Sequence, residues 1–250
     1  MPEVTSAALG VPGLGWLLVA VIVAGLVRGF SGFGSAMIIM PVASSVLNPV
    51  AAIVFLTMTD LVGPLPILPR ALREGNRADV LRLGLGVAIA MPVGVAGLAY
   101  MSPDFFGWLV SATVMIMLGL LMTGWRYRGI LTPRLVLGTG VLGGFLSGLT
   151  GMAGPPVIML YMASTLPVKV IRANLILYLL TIDLLMIATI AAFGLFDAVP
   201  VIIGLVLAVP YMLTTLVGAR FFRPGGEHLF RRVAYAIIAA SALMGLPLWT

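Results

Sequence analysis

Arg28, Asp60 and Asp183 stand inside apolar stretches of a 250-residue chain in which only 9% of residues are charged. A charge at bilayer depth is costly, so ionisable residues there face a cavity or a partner. The planar fork of Arg28 suits the oxygens of an oxyanion, which makes it a candidate substrate-binding residue. Snorkelling to an interface, or pairing with an acid, is its structural alternative. Asp60 and Asp183 are expected near the middle of a full span, each following a glycine-broken segment. They read as counter-charges to Arg28 or as coupling sites for a proton or cation; the plainer role is a packing carboxylate bonded to Thr57 or Thr181. Asn174 and Tyr178, one helical turn apart, read as polar lining, with helix capping as the alternative for Asn174.

The glycine breaks carry the second set of candidates. One runs through Gly29-Phe30-Ser31-Gly32-Phe33-Gly34, the other through Ser147-Gly148-Leu149-Thr150-Gly151-Met152-Ala153-Gly154-Pro155-Pro156. Lipid cannot satisfy free N–H and C=O groups, so an interrupted backbone must be buried in protein or line a cavity. The helix that follows a break directs its N–H groups and positive dipole end at mid-depth, a natural site for an anion. Ser31, Gly32, Phe33, Gly34, Ser147, Gly148, Thr150 and Gly151 are therefore expected to bind substrate. The competing use of such glycines is close helix packing.

Other chemistries fail on their requirements. Gly29-Phe30-Ser31-Gly32 fits the string of an intramembrane serine protease, but the one histidine, His228, lies in a basic turn and supplies no base. Fifteen methionines without cysteine are core filler rather than a soft-metal path. No phosphate-binding loop marks an ATPase. No enzyme activity, metal or cofactor is expected.

The elements that must position these residues are membrane helices. The chain is 61% hydrophobic with mean hydropathy +1.19, and apolar runs of roughly the ~20 residues a bilayer requires recur at 50–69, 82–101, 105–123, 173–193, 199–219 and 232–249. Two further stretches, 16–47 and 135–165, are too long for one helix and read as broken or re-entrant hairpins whose arms reach about 20 Å each. The net charge of +6 resides in short loops, a topology signal rather than a nucleic-acid patch. Arg70, Arg73, Arg77 and Arg82; Arg126, Arg128 and Arg134; Lys169 and Arg172; and Arg220, Arg223, Arg231 and Arg232 mark four cytoplasmic loops, placing both termini outside. With no basic residue before Arg28, the N-terminus lacks the charge of a cleavable signal peptide and is expected to be kept.

The pattern of hairpin and three spans occurs twice, over 1–126 and 127–250. Asp79, Gly86 and Pro92 recur as Asp197, Gly204 and Pro210 at an offset of 118, and Ser31-Gly32 as Ser147-Gly148 at 116. The loop at Asp79 is basic and that at Asp197 is not, so equivalent loops face opposite sides. The expected fold is an all-α polytopic membrane protein of two inverted repeats. Paired breaks in such halves point to the substrate site of a secondary transporter, with substrate between the hairpin tips and alternating access by rocking. An uncoupled anion channel of paired half-helices is the alternative, and a membrane enzyme is a third class with no base to support it.

The run Gly25 to Gly34 and the run Gly143-Gly144-Phe145-Leu146-Ser147-Gly148-Leu149-Thr150-Gly151-Met152-Ala153-Gly154-Pro155-Pro156 resemble those of the sulfite exporter TauE/SafE family, over roughly 12–249. Met152-Ala153 departs from the further glycine or small polar residue of many relatives. The resemblance implies a bacterial inner-membrane permease exporting sulfite or an organosulfonate such as sulfoacetate. The implied partners are a small anion, the lipid bilayer and a coupling proton or cation; a homo-oligomer is left open and nucleic acid is not expected.

Overall fold

The computed structural model describes residues 8, 10–31, 34–63, 65–123, 131–161, 166–221 and 227–248. Among them the chain forms helices and no strand. In order these are α1 (Leu14–Ser31), α2 (Ser35–Val46), α3 (Pro49–Leu61), a 3-10 turn (Leu65–Ile67), α4 (Leu68–Glu74), α5 (Arg77–Ala99), α6 (Pro103–Met122), α7 (Pro133–Thr150), α8 (Gly154–Tyr161), α9 (Val168–Ala192), α10 (Ala198–Phe221) and α11 (Glu227–Met244). Four of them, α5, α6, α9 and α10, are long and apolar enough to cross a membrane. Their starts follow local capping chemistry. Asn76 accepts from Ala78 and Asp79 N–H before α5, Asp197 accepts from Val199 N–H before α10, and Asn48 and Thr132 cap α3 and α7 with proline at the first turn.

Two expected crossings are shorter than the apolar runs suggested. The run 50–69 forms a helix only as far as Leu61, because Gly63-Pro64-Leu65-Pro66 cannot continue one: proline lacks the N–H and disfavours helix in the residue before it. Asp60 thus sits one residue from a helix end rather than at mid-helix. The run 232–249 is helical only as far as Met244, where α11 ends before Gly245-Leu246-Pro247. The hairpins have unequal arms where equal arms were expected. Their first arms, α1 and α7, have 18 residues each, about 27 Å and close to a full crossing, while the return arms α2 and α8 reach only about 18 and 12 Å.

The chain forms two units, each discontinuous in sequence. The first comprises Met1–Gly63, Met101–Gly119 and Phe196–Thr250. Within it α1 and α3 pack on α10, α1 and α3 pack on α2, and α11 packs on α2 and α1. The α1–α10 seam is made of backbone against backbone. A methyl group at Gly29 would lie 2.7 Å from Ala219 N, and one at Gly25 would lie 2.7 Å from Tyr211 O. Successive glycines of α1 meet successively later residues of α10, so the two helices run parallel. Gly204 likewise brings α10 onto Phe55 and Met58 of α3.

The second unit comprises Pro64–Tyr100 and Leu120–Leu195. Here α5 and α7 share a parallel glycine seam: Gly140 meets Leu83, Gly144 meets Val87, and Gly148 meets Met91 and Gly94. Helix α9 packs on α5, α4, α8 and α7. Beneath the basic loop, Ala71, Ala173 and Leu177 form a small core with Leu68, Val80 and Ile176.

The helix boundaries replace the 116 offset of the hairpins with 119. Leu14 and Pro133 begin the first arms, Ser31 and Thr150 end them, Ser35 and Gly154 begin the return arms, and Pro49 and Val168 begin the next helices, each pair 119 apart. This register aligns Gly25 with Gly144, Gly29 with Gly148 and Gly32 with Gly151. It also sets Arg28 opposite Ser147, and Asp60 opposite Leu179, one turn before Asp183. The packing partners correspond too: α1 on α10 as α7 on α5, α3 on α10 as α9 on α5, and each return arm on its neighbours. Each hairpin therefore packs on a long helix from the other stretch of sequence, which is why the units interleave across residue 126.

Candidate functional site

In the first unit, Arg28 lies in the last turn of α1. Its Nη1 donates to Asp60 Oδ1 at 2.8 Å, Tyr211 OH at 2.9 Å and Ser35 Oγ at 3.0 Å. The guanidinium carbon also lies 5.9 Å from the Tyr211 ring centroid, within cation–π range. Ser35 Oγ reaches Asp60 Oδ2 at 3.4 Å. The Arg28 and Asp60 side chains are only 16% and 14% exposed. Tyr211 is the fourteenth of the 24 residues of α10, so this charged group is level with the middle of a spanning helix.

The local chain path explains the convergence. Gly34 adopts φ 93°, a left-handed conformation that glycine alone adopts at no steric cost, and reverses the chain into α2. Ser35 is the first residue of α2, and Gly34 offers no side chain to cap it. The α2 N–H groups and positive dipole end thus open beside Arg28, as a short arm after a break should arrange. The early end of α3 delivers Asp60 to the same place. Of the two structural alternatives for Arg28, pairing with an acid is the one observed. Thr57, considered as a partner for Asp60, instead donates to Ile53 O one turn back.

In the second unit, α7 ends on Gly151, whose φ of 77° closes the helix with a 2.8 Å bond from its N–H to Ser147 O. Ser147 and Thr150 are buried, and Thr150 Oγ1 donates to Leu146 O. Gly148 sits in the helix seam, where a methyl would lie 2.5 Å from Met91 O. Tyr178 is fully buried; its hydroxyl donates to Ala153 O at 3.2 Å and fills the space over Gly143. Asn174 is no cap, since α9 begins at Val168. It accepts from Asn76 N–H at 2.7 Å and donates to Tyr161 OH at 3.2 Å, tying the basic loop to the end of α8. Asn174 and Tyr178 therefore share a helix face but serve different neighbours. Asp183 is buried on α9, and Thr181 donates to Leu177 O.

Of the residues expected to bind substrate, the structure brings Arg28 next to Gly34, together with the expected coupling residue Asp60. Gly32, Phe33 and the side chain of Ser31 lie outside the described residues. Sequence reasoning missed Ser35 and Tyr211 in this cluster, and Tyr161 and Asn76 around Asn174. Tyr211 had a signal: a hydroxyl after Pro210 at the centre of an apolar run. Ser35 had only its place after the glycine string.

No solved structure matches the chain significantly. The family model for the sulfite exporter TauE/SafE matches residues 17–245. A probable sulfite/organosulfonate exporter TauE from Cupriavidus necator is 31% identical over 230 residues, covering 87% of this chain and 88% of the relative. The matched region takes in every candidate residue. This chain belongs to the TauE/SafE sulfite exporter family and is a multi-pass membrane transporter, not an enzyme.

Proposed function

We propose that this protein is a secondary transporter that exports a small anion, sulfite or an organosulfonate such as sulfoacetate, across the bacterial inner membrane by alternating access. The observation that carries this reading is the placement of Arg28. A guanidinium lies level with the middle of α10, beside the uncapped N-terminus of α2, held by Asp60, Ser35 and Tyr211. A half-length helix end and a partly buried cation at mid-depth are the parts a transporter uses to hold an anionic group. The name of the Cupriavidus relative supports the substrate class. We place the binding site at Arg28, Gly34, Ser35 and Tyr211, and keep Ser31, Gly32 and Phe33 as candidates from the sequence. In the second unit, the turn at Ser147, Gly148, Thr150 and Gly151 is proposed as a counterpart, positioned by Tyr178 and Asn174. Asp60 and Asp183 are the proposed coupling carboxylates.

Two inverted repeats, with the basic loops cytoplasmic and both termini periplasmic, complete the proposal. The shared 119-residue register of helix ends and the alternation of loop charge support it. The test is flux in proteoliposomes of sulfite, sulfoacetate, sulfate and a carboxylate control, with and without a pH gradient. Sulfite or sulfoacetate should move faster than in empty liposomes, and Arg28→Gln should abolish that excess. If neither anion moves faster than in empty liposomes, the export reading fails. If an Asp60→Asn, Asp183→Asn double variant transports like the unmodified protein, neither acid couples, and an uncoupled path is favoured.

A further inference from the structure

Asp60 stands where an incoming oxyanion would have to stand. Its Oδ1 takes the shortest bond from Arg28 Nη1, and its Oδ2 takes the hydroxyl of Ser35, the residue that opens α2. One internal carboxylate thus holds both attractions proposed for the substrate, the guanidinium and the helix N-terminus. While Asp60 is ionised the pair is neutral, and a second anion against Arg28 would meet a like charge a few ångströms away. A proton on Asp60 removes that charge, while Ser35 and Tyr211 remain neutral acceptors for Arg28. Protonation thus raises the charge of the cluster by one, which favours a monoanion beside Arg28.

Resting on the export reading, we propose that Arg28 and Asp60 form a proton-operated anion site. Ionised Asp60 fills the oxyanion position itself; protonated Asp60 yields it to a sulfonate or sulfite oxyanion, so one proton from bulk water binds with each anion.

Within α1, α2, α3 and α10, Asp60 is the one carboxyl. The ionisable residues of α1, α2, α3 and α10 are Arg28, Asp60, Tyr211 and Arg220 alone. Arg220 is nine residues beyond Tyr211, about 13 Å along α10. Helix α11, packed on α1 and α2, brings Ile238 against Gly34. Its Tyr235 and Arg232 stand earlier in that helix, and the side chains of Glu227, His228 and Arg231 lie outside the described residues.

The test is isethionate binding to the purified transporter at a series of pH values, with calorimetry in buffers of different ionisation heat to count protons. Isethionate keeps its single charge throughout, so any proton taken up comes to the protein; sulfite titrates itself and would obscure this. The expected result is a Kd that weakens about tenfold per pH unit on the alkaline side, and uptake approaching one proton per anion there. Asp60→Asn should bind with affinity independent of pH and without uptake. Binding by the unmodified protein that is independent of pH and takes up no proton overturns the inference and leaves the export reading standing. So does uptake that persists in Asp60→Asn, or that is lost only in Asp183→Asn. If Asp60→Asn does not fold, proton uptake by the unmodified protein decides alone. Absence of isethionate, sulfoacetate and sulfite binding at every pH, together with absent flux, overturns the export reading and the inference with it.

Discussion

Removing Arg28 should damage this protein more than removing Arg28 and Asp60 together. At 2.8 Å the gross attraction of two unit charges is about 6 kcal/mol in a medium of effective dielectric ~20. Desolvation offsets most of this while both partners are present, so the intact pair contributes little net stability. The balance changes when one partner is lost. Arg28→Met leaves the Asp60 carboxylate at 14% exposure with a long 3.4 Å bond from Ser35, and the expected loss is about 3–5 kcal/mol. Asp60→Leu leaves a guanidinium with the hydroxyls of Ser35 and Tyr211 as acceptors, and about 2–3 kcal/mol is expected because those bonds persist. The double variant has an apolar pair in an apolar setting and should fall within about 1–2 kcal/mol of the unmodified protein. The coupling energy is then at least ~3 kcal/mol. Reversible unfolding in mixed detergent–SDS micelles, followed by helical circular dichroism, measures all four corners of the cycle. Single losses that add within about 0.5 kcal/mol would show the two charges to be independent, and the argument for a coupled site would collapse.

Three further outcomes follow from the packing. Gly144→Ala should cost about 1–3 kcal/mol, because its methyl would lie 2.6 Å from Val87 Cα in a backbone seam; Gly138→Ala on the same helix, with nothing within 4 Å, should be neutral or gain up to about 1 kcal/mol, and equal effects in the same unfolding assay would refute the seam. Gly34→Ala and Gly151→Ala should each lose about 1–2 kcal/mol from their left-handed backbones, with Gly151→Asn recovering part; an unchanged midpoint for both would refute the strain. Asn174→Leu should cost about 1–3 kcal/mol by stranding Asn76 N–H and removing the bond to Tyr161 OH, and hydrogen exchange at Asn76 should rise; protection equal to the unmodified protein would remove Asn174 as the anchor of that loop.

Much of the architecture is written locally. The proline pairs at 155–156 and at Pro64 and Pro66, the caps Asn48, Asn76 and Thr132, and the apolar runs between basic loops mark helix boundaries, since each acts within one turn of itself. Arg28 and Asp60 stood out because charge in apolar sequence is conspicuous. Two features misled. The apolar run 50–69 hid a helix end, because hydropathy does not register the N–H that proline lacks. Matching Ser31-Gly32 with Ser147-Gly148 hid the 119 register, because serine and glycine recur too often in apolar sequence to fix an alignment.

What the tertiary structure decided is the company each residue keeps. Glycine spacing is the same whether a groove receives a ligand or another helix; only packing shows that Gly29 meets α10 and Gly148 meets α5. Likewise, the sequence by itself determined that Arg28 and Asp60 need partners, since a membrane interior leaves no water to solvate them. It could not choose Tyr211, which lies 183 residues from Arg28. That choice comes from α10 lying parallel to α1 and α3, where backbone contacts across glycine set the depth at which the side chains meet.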